Sequence, residues 1–190
     1  MRLKNETYEY IKQAVADMFV TYDIKGIPIN AFEVAIKIGL NIIPYSSLSY
    51  EKLRVAYEYS EDGYSIEEND GTWNIYYNDI TKDYTRINQT IMHEVGHFIL
   101  GHIEEGEEEE AEAKFFAKYA LASPALIQNL LSVKNVENIM NTFDIGYKAA
   151  CIALDNHKKR FAYGRKDYTD YEMQILNQLE VEIVKKKTLF

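Results

Sequence analysis

The chain has 190 residues, enough for one domain with a buried core. Its formal charge of -9 disfavours nucleic acid as the main ligand, because phosphate binding needs a positive surface. No apolar run approaches the roughly 20 residues that span a bilayer, no secretory leader pattern is visible after Met1, and Cys151 is the only cysteine, which excludes an intramolecular disulfide and fits a reducing cytoplasm.

In chain order, a first helix is predicted from a cap at Asn5, with Tyr8, Ile11, Val15 and Met18 as its buried stripe. A second follows Pro28, with Asn30 and Glu33 spaced as a capping box and Gly39 as its stop. Asn41 to Tyr45 reads as a short strand, at an edge because of Pro44, and Tyr50 to Tyr57 as a weaker helix. Gly63 to Ile66 and Trp73 to Tyr77 form a predicted hairpin, with turn residues Glu68-Asn69-Asp70-Gly71 between them. A helix from Thr85 to Leu100 ends at Gly101, and Glu109 to Ala122 is helical again. Two or three helices fill the rest, the last starting at a Thr169/Glu172 capping box and burying Ile175, Leu176, Leu179 and Ile183. The pattern is α+β: a small antiparallel or mixed sheet of about three strands packed on the 85–100 helix, with helices before and after. Residues 1–125 are expected to form the core, and 126–190 a helical extension packed on it. Sixteen tyrosines suit half-buried packing or a peptide-contact surface.

The chemistry concentrates at His93-Glu94-Val95-Gly96-His97. Histidines four apart on a helix project from one face, their Cβ atoms about 5–6 Å apart, so both can bind one zinc. Glu94 follows the first ligand, and its carboxylate can reach a metal-associated water as a general base. With four histidines and twenty glutamates, the pattern arises by chance in roughly 1% of such chains, and the helical periodicity of Ile87, Ile91, Val95, Phe98 and Ile99 adds to its weight. A catalytic zinc takes three protein ligands and keeps one position open. His102 is nearby, but a related peptidase pattern, HExxHxxGxxH, needs glycine at plus seven and histidine at plus ten; here they stand at plus eight and plus nine. Gly101 ends the helix, so a cap or packing role is expected for His102.

Seven glutamates lie between Glu104 and Glu112, for the most part a solvated cluster. The stripe Ala113, Phe116, Ala117, Ala120 and Leu121, extended backward, reaches Glu110 and Glu109, with Glu112 to one side. A core-facing carboxylate is costly unless neutralised, and zinc would neutralise it. The pattern does not choose between Glu109 and Glu110.

Between Tyr76 and Pro124 the chain resembles the ImmA/IrrE family of HExxH metallopeptidases, which are small and gluzincin-like. The likeness rests on Tyr76-Tyr77-Asn78, Arg86 and Thr90 before the motif, on the family's HExGHxxLxH against His93 to His102, and on ExEA(N/D)xFA against Glu110 to Ala117. It implies His93, His97 and Glu110 as ligands of one Zn2+, with Glu94 as base. It also implies a zinc-dependent endopeptidase cleaving a specific protein, such as a helix-turn-helix repressor of a bacterial mobile element. Lys114 departs from the family's Asn or Asp, whose acidic counterpart in related peptidases orients a ligand histidine. Phe143 to Gly146 with Ala149-Ala150 resembles the family's FxIS…AA segment, Gly146 replacing serine and Ala153 standing where arginine is frequent.

Strand Trp73 to Asn78 is expected to pair with an extended substrate. Arg86 is assigned to a structural salt bridge and His157 to the surface. The basic Lys158-Lys159-Arg160 and Lys185-Lys186-Lys187 are read as solvated surface, not a DNA site. The competing reading, given weight by Lys114, is a weak or inactive metal-binding regulatory module.

Overall fold

The computed structural model describes residues 3–103, 106–164 and 167–183. Helix α1 (Asn5–Thr21) takes Lys4, not Asn5, as its N-cap, and buries Ile11, Val15 and Met18. Helix α2 (Ala31–Ile38) is bounded as its sequence predicts. The Asn30 side chain accepts from the amides of Phe32 and Glu33, and Gly39 adopts φ 95°, a conformation that costs glycine little. Strand β1 (Asn41–Pro44), one 3-10 turn (Tyr45–Ser47) and helix α3 (Tyr50–Tyr59) follow.

Strands β2 (Gly63–Glu67) and β3 (Trp73–Tyr77) pair antiparallel, with Tyr64 opposite Tyr76. Strand β1 pairs with β3 in parallel, Ile42 opposite Ile75. The order β1-β3-β2 makes a three-stranded mixed sheet in an α+β fold and puts Pro44 on an edge, where its missing N–H is tolerated. It also corrects the expected substrate strand. β3 is central and hydrogen-bonded on both sides, so it has no edge to offer a peptide; β2 has a single strand neighbour among the described residues. Part of the tyrosine excess is packing: Tyr64 stacks on Tyr59 and on Tyr76, each at 5.0 Å between ring centres.

Helix α4 (Tyr84–Leu100) starts one residue before the predicted Thr85. Asp83 caps it through Oδ1, which accepts from the Arg86 amide at 2.9 Å. Asn88, buried on α4, accepts from the Ala31 amide at 2.7 Å and donates to the Ile29 carbonyl at 3.1 Å, tying α4 to the start of α2. Helix α5 (Glu107–Leu121) begins two residues earlier than its apolar stripe indicated and packs closely on α4.

Four helices follow among the described residues, against two or three expected: α6 (Pro124–Leu130), α7 (Val136–Phe143), α8 (Tyr147–Tyr163) and α9 (Asp170–Gln178). Three of them span only 7, 8 and 9 residues, and helices that short are hard to count from periodicity because each shows about two turns of its pattern. Glu172 closes its half of the expected capping box, accepting from the Thr169 amide at 2.9 Å, and α9 buries Ile175 and Leu176. Ile183 is corrected: the helix stops at Gln178, and Ile183 is 39% exposed. The buried apolar cluster includes Phe19 of α1, Ile91 of α4, Phe116 of α5, Leu126 of α6, Phe143 of α7 and Leu176 of α9. No helix among the described residues is long and apolar enough to cross a membrane. Glu104, Glu105 and the 185–187 lysines lie outside the described residues.

Two basic residues differ from expectation. Arg160 is not solvated surface: its guanidinium forks onto the carboxylate of the buried Glu172, Nε to Oε1 at 2.8 Å and the second bond at 2.6 Å, joining α8 to α9. His157 is also buried, its Nε2 2.9 Å from Gln128 Oε1 on α6. A polar run on a helix says nothing of which face a neighbour covers.

Candidate metal centre

One turn of α4 brings His93 and His97 together, and α5 supplies a carboxylate opposite them. The two Nε2 atoms are 3.2 Å apart. Glu110 Oε1 lies 3.5 Å from His93 Nε2 and 3.3 Å from His97 Nε2. Three donors held tetrahedrally at zinc distances of about 2.0–2.1 Å are separated by roughly 3.3–3.4 Å along each edge. The triangle of donor atoms therefore has the dimensions of one face of a zinc coordination shell. The helical register left Glu109 and Glu110 open; the structure brings Glu110 to the histidines, and among the described residues His93, His97 and Glu110 are the group whose donor atoms meet.

The electrostatics suit ligation. Burial holds the His93 imidazole below its ordinary value, against the opposing pull of Glu110. For Glu110, burial pushes the carboxyl up, but the hydrogen bond from Lys114 and the charges of His93 and Lys114 outweigh it, so the net shift is downward. A neutral imidazole and an ionised carboxylate are the forms a metal requires. Lys114 donates to Glu110 Oε2 at 2.6 Å, leaving Oε1 on the histidine side. Lys114, which departs from the pattern of the resembled family, thus holds Glu110 from the side away from the histidines.

Glu94 projects from the same helix and is buried. Its Oε2 accepts a 2.7 Å hydrogen bond from Ser65 Oγ on β2. Ser65 was not singled out in the sequence; its only signal is strand alternation, which puts it on the face of β2 that carries Gly63. A Cβ on Gly63 would come within 2.8 Å of Thr90 Cγ2 and 2.6 Å of the Tyr76 carbonyl oxygen, so glycine is what lets β2 lie this close to α4.

His102 does not reach the donor triangle, in keeping with its spacing, but it is more than a cap. Gly101 adopts φ 70°, and the His102 amide donates back to the His97 carbonyl at 3.0 Å, the six-to-one bond of a Schellman turn. That turn folds His102 behind His97, their Nδ1 atoms 3.0 Å apart. His102 Nε2 in turn lies 2.9 Å from Glu112 Oε2 on α5. Glu112, the glutamate that falls to one side of the stripe, is placed for this contact.

The donors line a cleft of about 770 Å³. Its walls include Tyr64 of β2, Arg86 and Gln89 of α4, Lys114 and Lys118 of α5, and Tyr147 of α8. Arg86 pairs with Asp62 across this cleft, Nε to Oδ1 at 3.0 Å, the structural salt bridge expected of it. His157 does not line the cleft. Asn78, at the end of β3, is fully buried; it donates to the Glu61 carbonyl at 2.7 Å and accepts from the amides of Ile80 and Thr81, which shapes the loop leading to α4. Gly146 also lines the cleft, at the start of α8.

No protein-family model and no curated protein matches the chain.

Proposed function

We propose that this protein is a zinc-dependent endopeptidase with His93, His97 and Glu110 as ligands and Glu94 as general base. The observation that carries the reading is the donor triangle of 3.2, 3.5 and 3.3 Å, with Glu94 beside it and oriented by Ser65. Zinc held there would supply the Lewis acidity that brings a water's pKa down toward ~7 and polarises a carbonyl. Glu94 takes the proton from the attacking water and delivers it to the leaving amine. Ser65 fixes the Glu94 carboxylate through Oε2, and Glu94 lines the same cleft as the donor triangle. An extended substrate would lie along the outer edge of β2, which has no strand neighbour on that side among the described residues.

The resemblance to ImmA/IrrE peptidases extends the proposal to the substrate, a specific protein such as a helix-turn-helix repressor, cleaved in the cytoplasm. Purified zinc-loaded protein incubated with a candidate repressor should cleave it, and Glu94→Gln should bind zinc without cleaving. Equal behaviour of the wild type and Glu94→Gln across the repressors tried would remove the peptidase reading. One observation favours the regulatory alternative: Lys114 pairs with Glu110 at 2.6 Å, where the resembled family carries an Asn or Asp. In that case zinc would bind without turnover.

A further inference from the structure

We infer that His102 and Glu112 form a positioning relay behind His97 that fixes the tautomer which the ligand histidine presents to zinc; this rests on the proposed zinc site. The relay follows from proton placement along three short contacts. An ionised carboxylate only accepts, so the 2.9 Å contact between Glu112 Oε2 and His102 Nε2 puts a hydrogen on that nitrogen. In the tautomer that carries its one hydrogen on Nε2, His102 has a bare Nδ1. The two Nδ1 atoms are 3.0 Å apart, so the hydrogen between them belongs to His97. With Nδ1 protonated, His97 carries its lone pair on Nε2, which is the atom in the donor triangle.

Three structural features hold this arrangement. The His102 and Glu112 side chains are only 8% and 19% exposed, so water competes poorly for their bonds. The Schellman turn at Gly101 sets the position of His102. Glu112 lies two residues after Glu110, so α5 carries both a ligand and the anchor of the opposite ligand's partner. A carboxylate–histidine pair behind a metal-binding imidazole orients the ring and raises its basicity. Here it does the orienting for which Lys114 lacks an acceptor.

The test uses the whole chain and two readouts. The first is zinc affinity by competition with a chelator. His102→Leu should weaken binding about ten- to hundredfold. His102→Gln, whose amide can accept from His97 and donate to Glu112, should recover part of the loss. Glu112→Gln, which keeps the shape and removes the charge, should cost about tenfold; it carries the test should His102→Leu not fold. The second readout is nitrogen NMR of the histidines in metal-free protein, tractable because there are four. His97 should be protonated at Nδ1 and His102 at Nε2. Wild-type affinity in both His102→Leu and Glu112→Gln, or a His97 protonated at Nε2, overturns the relay. Absence of zinc binding by the wild type overturns the zinc reading instead, and the NMR result on metal-free protein still decides the relay.

Discussion

The backbone of Gly96 lies directly against the ring of Phe116. A Cβ on Gly96 would sit 3.0 Å from Phe116 Cδ1 and 3.2 Å from Cγ, and Phe116 is fully buried. This contact sets how closely α4 approaches α5, and so how close Glu110 comes to the two histidines. Gly96→Ala gains about 1 kcal/mol of helix propensity but overpacks a ring with no room to move, at about 1–3 kcal/mol. The expected net result is lower stability in chemical denaturation together with weaker zinc binding. A variant more stable than the wild type would mean that the two helices can separate at little cost.

Ser65 holds Glu94 through a 2.7 Å hydrogen bond. Ser65→Ala should leave zinc content unchanged and lower the turnover of a cleaved substrate by about tenfold, the loss of one neutral-to-charged hydrogen bond of about 1.5 kcal/mol. Loss of zinc in this variant would show that Ser65 supports the ligands rather than the base.

The Arg160–Glu172 pair is the most buried ion pair among the described residues, with side chains 14% and 2% exposed. Glu172 also accepts from the Thr169 amide at 2.9 Å, so one carboxylate serves both the cap of α9 and the link to α8. Glu172→Ala should cost about 3 kcal/mol or more, because it leaves a guanidinium largely out of water. Replacing both residues by apolar ones should cost much less. Equal losses in the single and double variants would contradict the pairing.

Asp62 gives a pH signature. The Arg86 hydrogen bond, opposed by burial, holds its carboxyl below the ordinary 3.8, with Lys82 assisting. A carboxyl lowered in the folded state stabilises the fold above its unfolded pKa and loses that contribution as pH falls through its folded one. Arg86→Gln should therefore be less stable than the wild type at neutral pH, by about 0.5–1 kcal/mol given the partial exposure of both groups. The gap should close in acid, below about pH 4, as Asp62 is protonated. A gap that persists unchanged at about pH 2 would assign the loss to packing.

Much of this was legible in the sequence. Asn30 and Gly39 mark both ends of α2, and Thr169 and Glu172 mark the start of α9, because caps are local chemistry. The spacing of His93 and His97 places both on one helical face without any knowledge of the rest of the fold. Glu110 could be narrowed to two candidates by register, but separating it from Glu109 requires the angle at which α5 meets α4. Strand order was out of reach, since it depends on which edge of β3 the distant β1 takes. His157 and Arg160 were misread for the same reason: α6 and α9 cover them, and nothing near them in the chain says so. Ser65 and the His102–Glu112 contact join separate elements, and neither residue type is distinctive alone.

The central claim is that three named side chains, and not their neighbours, hold one zinc. Measuring bound zinc per chain in the wild type, Glu110→Ala and Glu109→Ala tests it most directly. One zinc is expected in the wild type and in Glu109→Ala, with a large loss in Glu110→Ala. Full zinc in Glu110→Ala, or none in the wild type, would contradict it.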